Sequence, residues 1–99
     1  MIWHIVSFDM AEADPAEREA FEAQLAGLAD IDEVVWLHVA HDVDEPTRTG
    51  LITVFASYAD LESYRTHPDH QPVVARIRDL QLPASRLDVE APFPPAPTD

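Results

Sequence analysis

The chain is predicted to contain two successive strand–helix–strand units. This order of elements indicates a single α+β domain. Runs of β-branched and aromatic residues predict strands at residues 1–8, 34–41, 51–57 and 85–90, with helical stretches after the first and third. A chain of 99 residues is also too short to divide into several domains. The predicted architecture is a ferredoxin-like split βαβ fold (βαββαβ), in which both helices lie on one face of a four-stranded antiparallel sheet.

The first strand separates two sets of side chains, because successive side chains point to opposite faces of a sheet. We expect one set to face the helices, and it carries the early histidine of the sequence: Ile2, His4, Val6 and Phe8. The other set faces away from the helices: Trp3, Ile5 and Ser7. The strand therefore contributes apolar side chains to both faces of the sheet.

The two helical stretches carry different boundary signals. In the first, Asp14 is the predicted N-cap, Pro15 the first helical residue and Glu17 the partner in a capping box. In the second, Asp60 is the predicted N-cap, and Pro68 predicts a break because proline disfavours helical geometry in the residue before it. The stretch after the break is predicted to bury one face, which consists of His70, Val73, Val74, Ile77 and Leu80.

The last eight residues, 92–99, are predicted to form a tail outside the fold. Four of them are prolines, at positions 92, 94, 95 and 97, so the segment can donate few ladder hydrogen bonds. We expect a folded domain over residues 1–91, followed by a flexible, proline-rich tail that is dispensable for stability.

The composition of the chain excludes several classes of function. There is no cysteine and no lysine, so the chain can build neither a thiolate site nor a Schiff base, and its two glycines are too few for a glycine-rich phosphate loop. A net charge of −13 argues against nucleic acid and anionic membranes as partners. The apolar start has no basic flank and is too short to span a bilayer, so a cytoplasmic location is expected.

The face of the predicted sheet that carries no helix is expected to form a homodimer interface. It bears Trp3 and Ile5, and the strand at 34–41 has large residues on both of its faces. Left in water, these side chains would form the kind of apolar patch that marks an interaction site. Pairing two such sheets about a twofold axis buries the patch, so the sequence predicts a self-associating protein.

Candidate site residues converge on the run SYRTHPDHQPVV. Tyr64 precedes the predicted break, His70 follows it, and His4 is expected to point toward them from the first strand. Two imidazoles that face one small cavity are harder to explain by packing than one, since each buried polar group needs a partner. The apolar pocket around these three residues is predicted to be lined by Val6, Phe8, Phe21, Leu25, Val74 and Ile77.

A metal site is the competing use of these histidines. His67 and His70 stand three residues apart, with Asp69 and Asp42 available as oxygen ligands. The break at Pro68 disturbs the shared helical face, and no H-E-x-x-H motif is present, so no metal ligand is predicted. The other histidines are interpreted as a capping residue and as surface or dimer-interface residues: His67, His38 and His41.

The opening MIWHIVSF, the Y-x-x-H-P-x-H run and the last strand SRLDVE resemble the Dabb family of stress-responsive dimeric α/β-barrel proteins, over residues 1–90. The resemblance implies a homodimeric barrel. It also implies an activity like that of the family's polyketide cyclases, which close a linear poly-β-keto thioester by aldol condensation without metal or organic cofactor. His4, Tyr64 and His70 match the site residues of those cyclases, and Thr49 stands at about the position where they carry a further histidine.

The expected function is therefore that of a cofactor-free acid–base enzyme acting on a small carbonyl compound, similar to polyketide aldol cyclases. His70 would serve as general base, while His4 and Tyr64 orient the substrate and stabilise the enolate oxygen. Two alternatives stay open. One is a non-catalytic, small-ligand-binding protein of the stress response, and the other is a cofactor-independent quinol monooxygenase-like enzyme.

Overall fold

The computed structural model describes residues 1–95, and its elements follow the predicted order. The strands are β1 (Ile2–Asp9), β2 (Val34–His41), β3 (Arg48–Phe55) and β4 (Ala84–Glu90). The α-helices are α1 (Pro15–Gly27), α2 (Tyr58–Thr66) and α3 (Gln71–Asp79), and 3₁₀ turns occupy Leu28–Asp30 and Pro68–His70. The sheet is antiparallel in the order β2-β3-β1-β4, which confirms the ferredoxin-like split βαβ fold.

Two of the predicted helix signals are confirmed. At the start of α1, the Asp14 carboxylate accepts the Glu17 backbone N–H at 2.8 Å, and the Glu17 carboxylate accepts the Asp14 backbone N–H at 3.1 Å. At the end of α2, His67 adopts an extended backbone with φ −62° and ψ 137°, so the helix stops before Pro68. The chain then makes the 3₁₀ turn Pro68–His70 before α3 begins.

The start of α2 and the limits of β3 differ from the prediction. The N-cap of α2 is Ser57 and not Asp60, because the Ser57 hydroxyl accepts the Asp60 backbone N–H at 3.2 Å. Strand β3 spans Arg48–Phe55 instead of 51–57. Its early residues belong to the sheet because they pair with both neighbours, Thr49 lying opposite Phe8 of β1 and His41 of β2.

The core lies between the helices and the inner face of the sheet, defined here as the face that carries His4, Val6 and Phe8. The rings of Phe8 and Phe21 meet edge to face with centroids 5.1 Å apart, which ties β1 to α1. Burial of this apolar surface is the main term that stabilises the fold. Fully buried side chains from both layers are Phe21, Leu25, Phe55, Leu61 and Tyr64.

The opposite, outer face of the sheet carries a row of side chains in register. Trp3 of β1 lies opposite Val54 of β3, which in turn lies opposite Trp36 of β2. A register shift between Val34 and Trp36 leaves one extra residue in β2, and this bulge turns Trp36 to the outer face. The two indole rings lie 6.4 Å apart, and Val54 between them is fully buried.

The segment that follows β4 lies on this outer face. The Phe93 ring is 5.6 Å from the Trp3 ring and 5.7 Å from the Trp36 ring, and Trp3 Nε1 donates to the Pro92 carbonyl at 3.3 Å. The structure thus departs at Phe93 from the expected free tail, because prolines limit ladder hydrogen bonds but do not prevent side-chain packing. Residues 96–99 of the predicted tail lie outside the described residues.

Candidate functional site

A cavity of about 340 Å³ opens between the inner face of the sheet and the helices. Its volume falls within the range of about 300–1,000 Å³ that is typical of small-molecule sites. The cavity brings together His4, Tyr64 and His70, the three residues predicted to carry the chemistry. The rest of its wall is mainly apolar, with Val6, Phe8, Leu25, Leu28, Leu51, Val73, Ile77 and Ala84, and it also includes Arg65, Ser85 and Arg86.

Six side chains were expected to line this pocket, and the structure places four of them there: Val6, Phe8, Leu25 and Ile77. Phe21 is not in the wall, because it lies one helical turn before Leu25 and packs against the Phe8 ring. Val74 is not in the wall either, and its neighbour Val73 lines the cavity instead. The 3₁₀ turn at Pro68–His70 sets the start of α3, which then presents Val73 and Ile77, four residues apart, to the cavity.

His4 is held in the cavity wall by a carboxylate on the neighbouring strand. Asp88 of β4 lies opposite His4 in register, and the His4 Nδ1–H donates to its carboxylate. The other Asp88 oxygen accepts from Arg65 Nη2 at 3.0 Å, and Arg65 also pairs with Glu62. Only 8% of His4 is exposed, so this chain of partners fixes both the orientation and the tautomer of a buried imidazole.

Asp88 is a site residue that the sequence analysis missed. Alternation along SRLDVE places Asp88 on the same face as Arg86 and Glu90, and the split βαβ order puts β4 beside β1. These two facts together could have indicated Asp88 as a partner of the first strand. Strand composition alone gives no register, so it could not show that position 88 faces position 4.

Tyr64 and His70 form the other part of the polar cluster. Their rings lie 4.6 Å apart, and the Tyr64 ring is 6.1 Å from the His4 ring. Tyr64 is 1% exposed, and within residues 1–95 neither its hydroxyl, nor His70 Nδ1, nor the Thr53 hydroxyl makes a hydrogen bond of good geometry, although Thr53 lies close enough to lower the Tyr64 pKa. The cavity wall therefore offers one hydroxyl and one ring nitrogen that are free to bind a ligand.

Burial favours the neutral form of both groups and therefore shifts their pKa values in opposite directions. Burial raises the pKa of Tyr64 well above its usual value, so the phenol stays protonated and acts as a hydrogen-bond donor. Burial lowers the pKa of His70 below 6.5. A hydrogen bond with the Arg65 backbone opposes this shift, and the nearby His4 and His67 lower the pKa further. His70 is therefore neutral at pH 7, and a neutral imidazole can accept a proton from a bound compound.

The remaining candidate residues are not among those that line the cavity. His67 Nδ1 accepts the Asp69 backbone N–H at 3.0 Å as a cap of the 3₁₀ turn, and His38 stacks on Trp36 at the outer face. His41 pairs with Glu22 at 2.7 Å, and the Thr49 hydroxyl donates to the same carboxylate at 3.3 Å. Across residues 1–95, no group of three or more acidic or histidine side chains could hold a metal ion.

A family model described as the stress responsive A/B barrel domain, Dabb, matches residues 2–91. The chain belongs to the Dabb family. Comparison with curated proteins finds none that matches. No helix within residues 1–95 is long and apolar enough to cross a membrane.

Solved structures show that this Dabb chain shares its fold with several small proteins. SnoaB from Streptomyces nogalater, described as a cofactor-independent oxygenase, is 18% identical with a TM-score of 0.77 and 92% of each chain covered. A dimeric ferredoxin-like protein of unknown function from Thermobifida fusca is 20% identical with a TM-score of 0.76, covering 89% of this chain and 88% of that one. A dimeric protein of ferredoxin-like fold from Bacteroides fragilis is 20% identical with a TM-score of 0.69, covering 90% and 94%.

Proposed function

We propose that this chain is an acid–base enzyme that removes a proton from the carbon next to a carbonyl group in a small, largely apolar compound. The observation that carries the proposal is the pair of polar atoms without partners among residues 1–95, His70 Nδ1 and the Tyr64 hydroxyl, on two residues of one cavity wall. Leaving a buried polar group without a partner costs about 1–3 kcal/mol. Two such groups in one cavity favour a ligand that satisfies both.

His70 is the proposed base. It takes the proton from carbon, and the Tyr64 hydroxyl donates to the enolate oxygen that forms, while His4, fixed by Asp88, orients the substrate. The enolate carbon then bonds to a second carbonyl carbon of the same molecule, and the proton on His70 passes to the new alkoxide. Because side chains account for each proton, this aldol closure uses no metal or organic cofactor, and a linear poly-β-keto compound is the substrate class that suits it.

Cofactor-independent oxygenation is the second candidate, and the fold shared with SnoaB favours it. The first step is the same, since His70 would deprotonate a phenol or an enolisable CH₂ group to give an electron-rich anion. That anion would then reduce O₂. The CH₂ carbon is oxidised to C=O with one oxygen atom, and the second oxygen atom leaves as water.

Proton exchange at carbon tests the step that both candidates share. In D₂O, the wild-type protein should accelerate exchange at the carbon next to the carbonyl of a β-keto thioester, followed by NMR. His70→Gln should reduce that acceleration about 10²–10⁴-fold, whereas His41→Gln, at an exposed histidine that does not line the cavity, should not. An oxygen electrode separates the candidates, because only oxygenation consumes O₂. Equal acceleration by the wild type and His70→Gln would mean that His70 is not the base, and no acceleration by the wild type would leave the non-catalytic ligand-binding alternative.

We also propose that two copies associate through the outer face. Beside the cluster of Trp3, Trp36 and Phe93, this face exposes Leu87, which is 58% accessible, and the two structural neighbours above are described as dimeric. Light scattering at micromolar concentration should report twice the chain mass. Leu87→Glu should give monomers, whereas Val43→Glu, at a loop residue that is 94% exposed, should leave the dimer intact.

A further inference from the structure

The cavity that holds the proposed site has a positively charged wall in a strongly acidic chain. The chain carries a net charge of −13 and only six arginines as basic residues. Two of those arginines, Arg65 and Arg86, line the cavity, and no Asp or Glu is among its lining residues. A concentration of cations at one apolar cavity is the electrostatic pattern of a site for an anionic ligand.

The two arginines differ in how far their charge is already neutralised. Arg65 pairs with Glu62 and with Asp88, so its charge serves the network that holds His4, although its buried Nε has no acceptor within residues 1–95. Arg86 makes no ion pair or side-chain hydrogen bond with any of residues 1–95, and its side chain is exposed. Arg86 is therefore the uncompensated cation of the wall.

Arg86 also has a defined position relative to the polar cluster. It lies opposite Val6 on the inner face, two residues along β4 from the Asp88 that holds His4. Two residues of a strand span about 7 Å, so a group bound by Arg86 is separated from the reacting centre by several bonds. The apolar wall between and beyond them accommodates a hydrocarbon body.

We propose that the ligand of this cavity is an amphipathic carboxylate: an apolar chain or ring with a carbonyl at Tyr64 and His70 and a carboxylate bound by Arg86. The inference rests on the proposed function, because it deepens the substrate class of the same site. One guanidinium presents a planar fork that matches one carboxylate in a bidentate pair. A phosphate dianion would need more cations than this wall supplies beside Asp88.

Binding of a matched pair of probes tests the role of Arg86. Octanoate carries the carboxylate, and octanamide has the same size and shape without the charge. By calorimetry, wild-type protein should bind octanoate at least about tenfold more tightly than octanamide, because a charge-assisted hydrogen bond contributes this much. Arg86→Gln should remove the difference and leave octanamide binding unchanged. Arg78→Gln makes the same change in net charge on the exposed side of α3 and should leave both affinities within about twofold.

Three other outcomes would contradict the proposal, and each contradicts a different part of it. Equal binding of the two probes by the wild type, or equal losses in Arg86→Gln and Arg78→Gln, would mean that Arg86 does not select an anion, while the acid–base function could still hold. Tighter binding of octyl phosphate than of octanoate would replace the carboxylate by a phosphate. If neither probe binds to the folded protein, as judged by circular dichroism, the carboxylate proposal fails, and the exchange assay alone decides the acid–base function.

Discussion

The rings of Tyr64 and His70 meet across the break between α2 and α3, with centroids 4.6 Å apart. In an unbroken α-helix, residues six apart would be rotated by about 120° from each other and separated by about 9 Å along the axis. The extended backbone of His67 and the 3₁₀ turn that begins at Pro68 remove that separation. The break in the helix therefore creates the polar end of the cavity.

Tyr64→Phe should separate stability from turnover. The Tyr64 hydroxyl is buried without a partner among the described residues, so its removal should leave the free energy of unfolding unchanged or raise it by up to about 1 kcal/mol. Turnover should fall, though less than in His70→Gln, because one donor to the enolate oxygen is lost. Urea unfolding and the exchange assay measure the two effects, and a clear loss of stability would show that the hydroxyl has a partner in the fold.

The lowered pKa of His70 predicts a particular pH dependence of stability. Just below pH 6.5 the unfolded chain binds a proton at this imidazole that the folded chain does not bind. The free energy of unfolding should therefore rise with pH through that range, and this contribution is complete above pH 6.5. Urea unfolding across the range should show the slope in wild-type protein and in His38→Gln, but not in His70→Gln. An NMR titration of His70 with a midpoint above 6.5 would contradict the prediction.

Asp88→Asn should destabilise the fold more than Glu62→Gln, although both carboxylates pair with Arg65. The Asp88 side chain is 23% exposed and also accepts from His4, whereas the Glu62 side chain is 50% exposed. We expect a loss of about 1–3 kcal/mol for the first change and less than about 1 kcal/mol for the second. Chemical denaturation of the two variants and the wild type measures these losses. Equal losses would mean that the buried network contributes no more than a surface pair.

Phe93→Ala should destabilise the fold and change the intrinsic fluorescence. The chain has two tryptophans, and both of their rings lie within 5.7 Å of Phe93, so the emission spectrum reports this cluster directly. Because Phe93 is half-buried, we expect a loss of about 1–2 kcal/mol, below the value for a fully buried phenylalanine. Val43→Ala, at an exposed residue, provides the control. An unchanged spectrum would restore the expectation of a free tail.

The fold and part of the site could be predicted because their signals are local. Alternation along the first strand placed His4 on the inner face, and the residues before and after Pro68 placed Tyr64 and His70 beside the break. The capping choice at α2 shows the limit of local signals. Ser57 and Asp60 are both good N-cap residues, and only the observed hydrogen bond decides between them.

The features that the sequence analysis missed depend on register and on tertiary packing. Asp88 faces His4 through the pairing of β1 with β4, and strand alternation gives the face of a residue but not its partner. The position of Phe93 follows from the two indole rings that it contacts, which a proline-rich composition does not reveal. Val73 lines the cavity where Val74 was expected, because the 3₁₀ turn Pro68–His70 changes which face of α3 is directed at the cavity.

The pairing of β1 with β4 has a consequence for how the molecule forms. It joins positions 2 and 90 and carries the hydrogen bond from His4 to Asp88, whereas β2 and β3 pair residues as close as His41 and Thr49. Closing a longer loop costs more conformational entropy, and on the ribosome β4 emerges after the other three strands. A nascent chain can thus expose all of its histidines while lacking the carboxylate that holds one of them. The chain should acquire the His4–Asp88 pair only after β4 has left the ribosome.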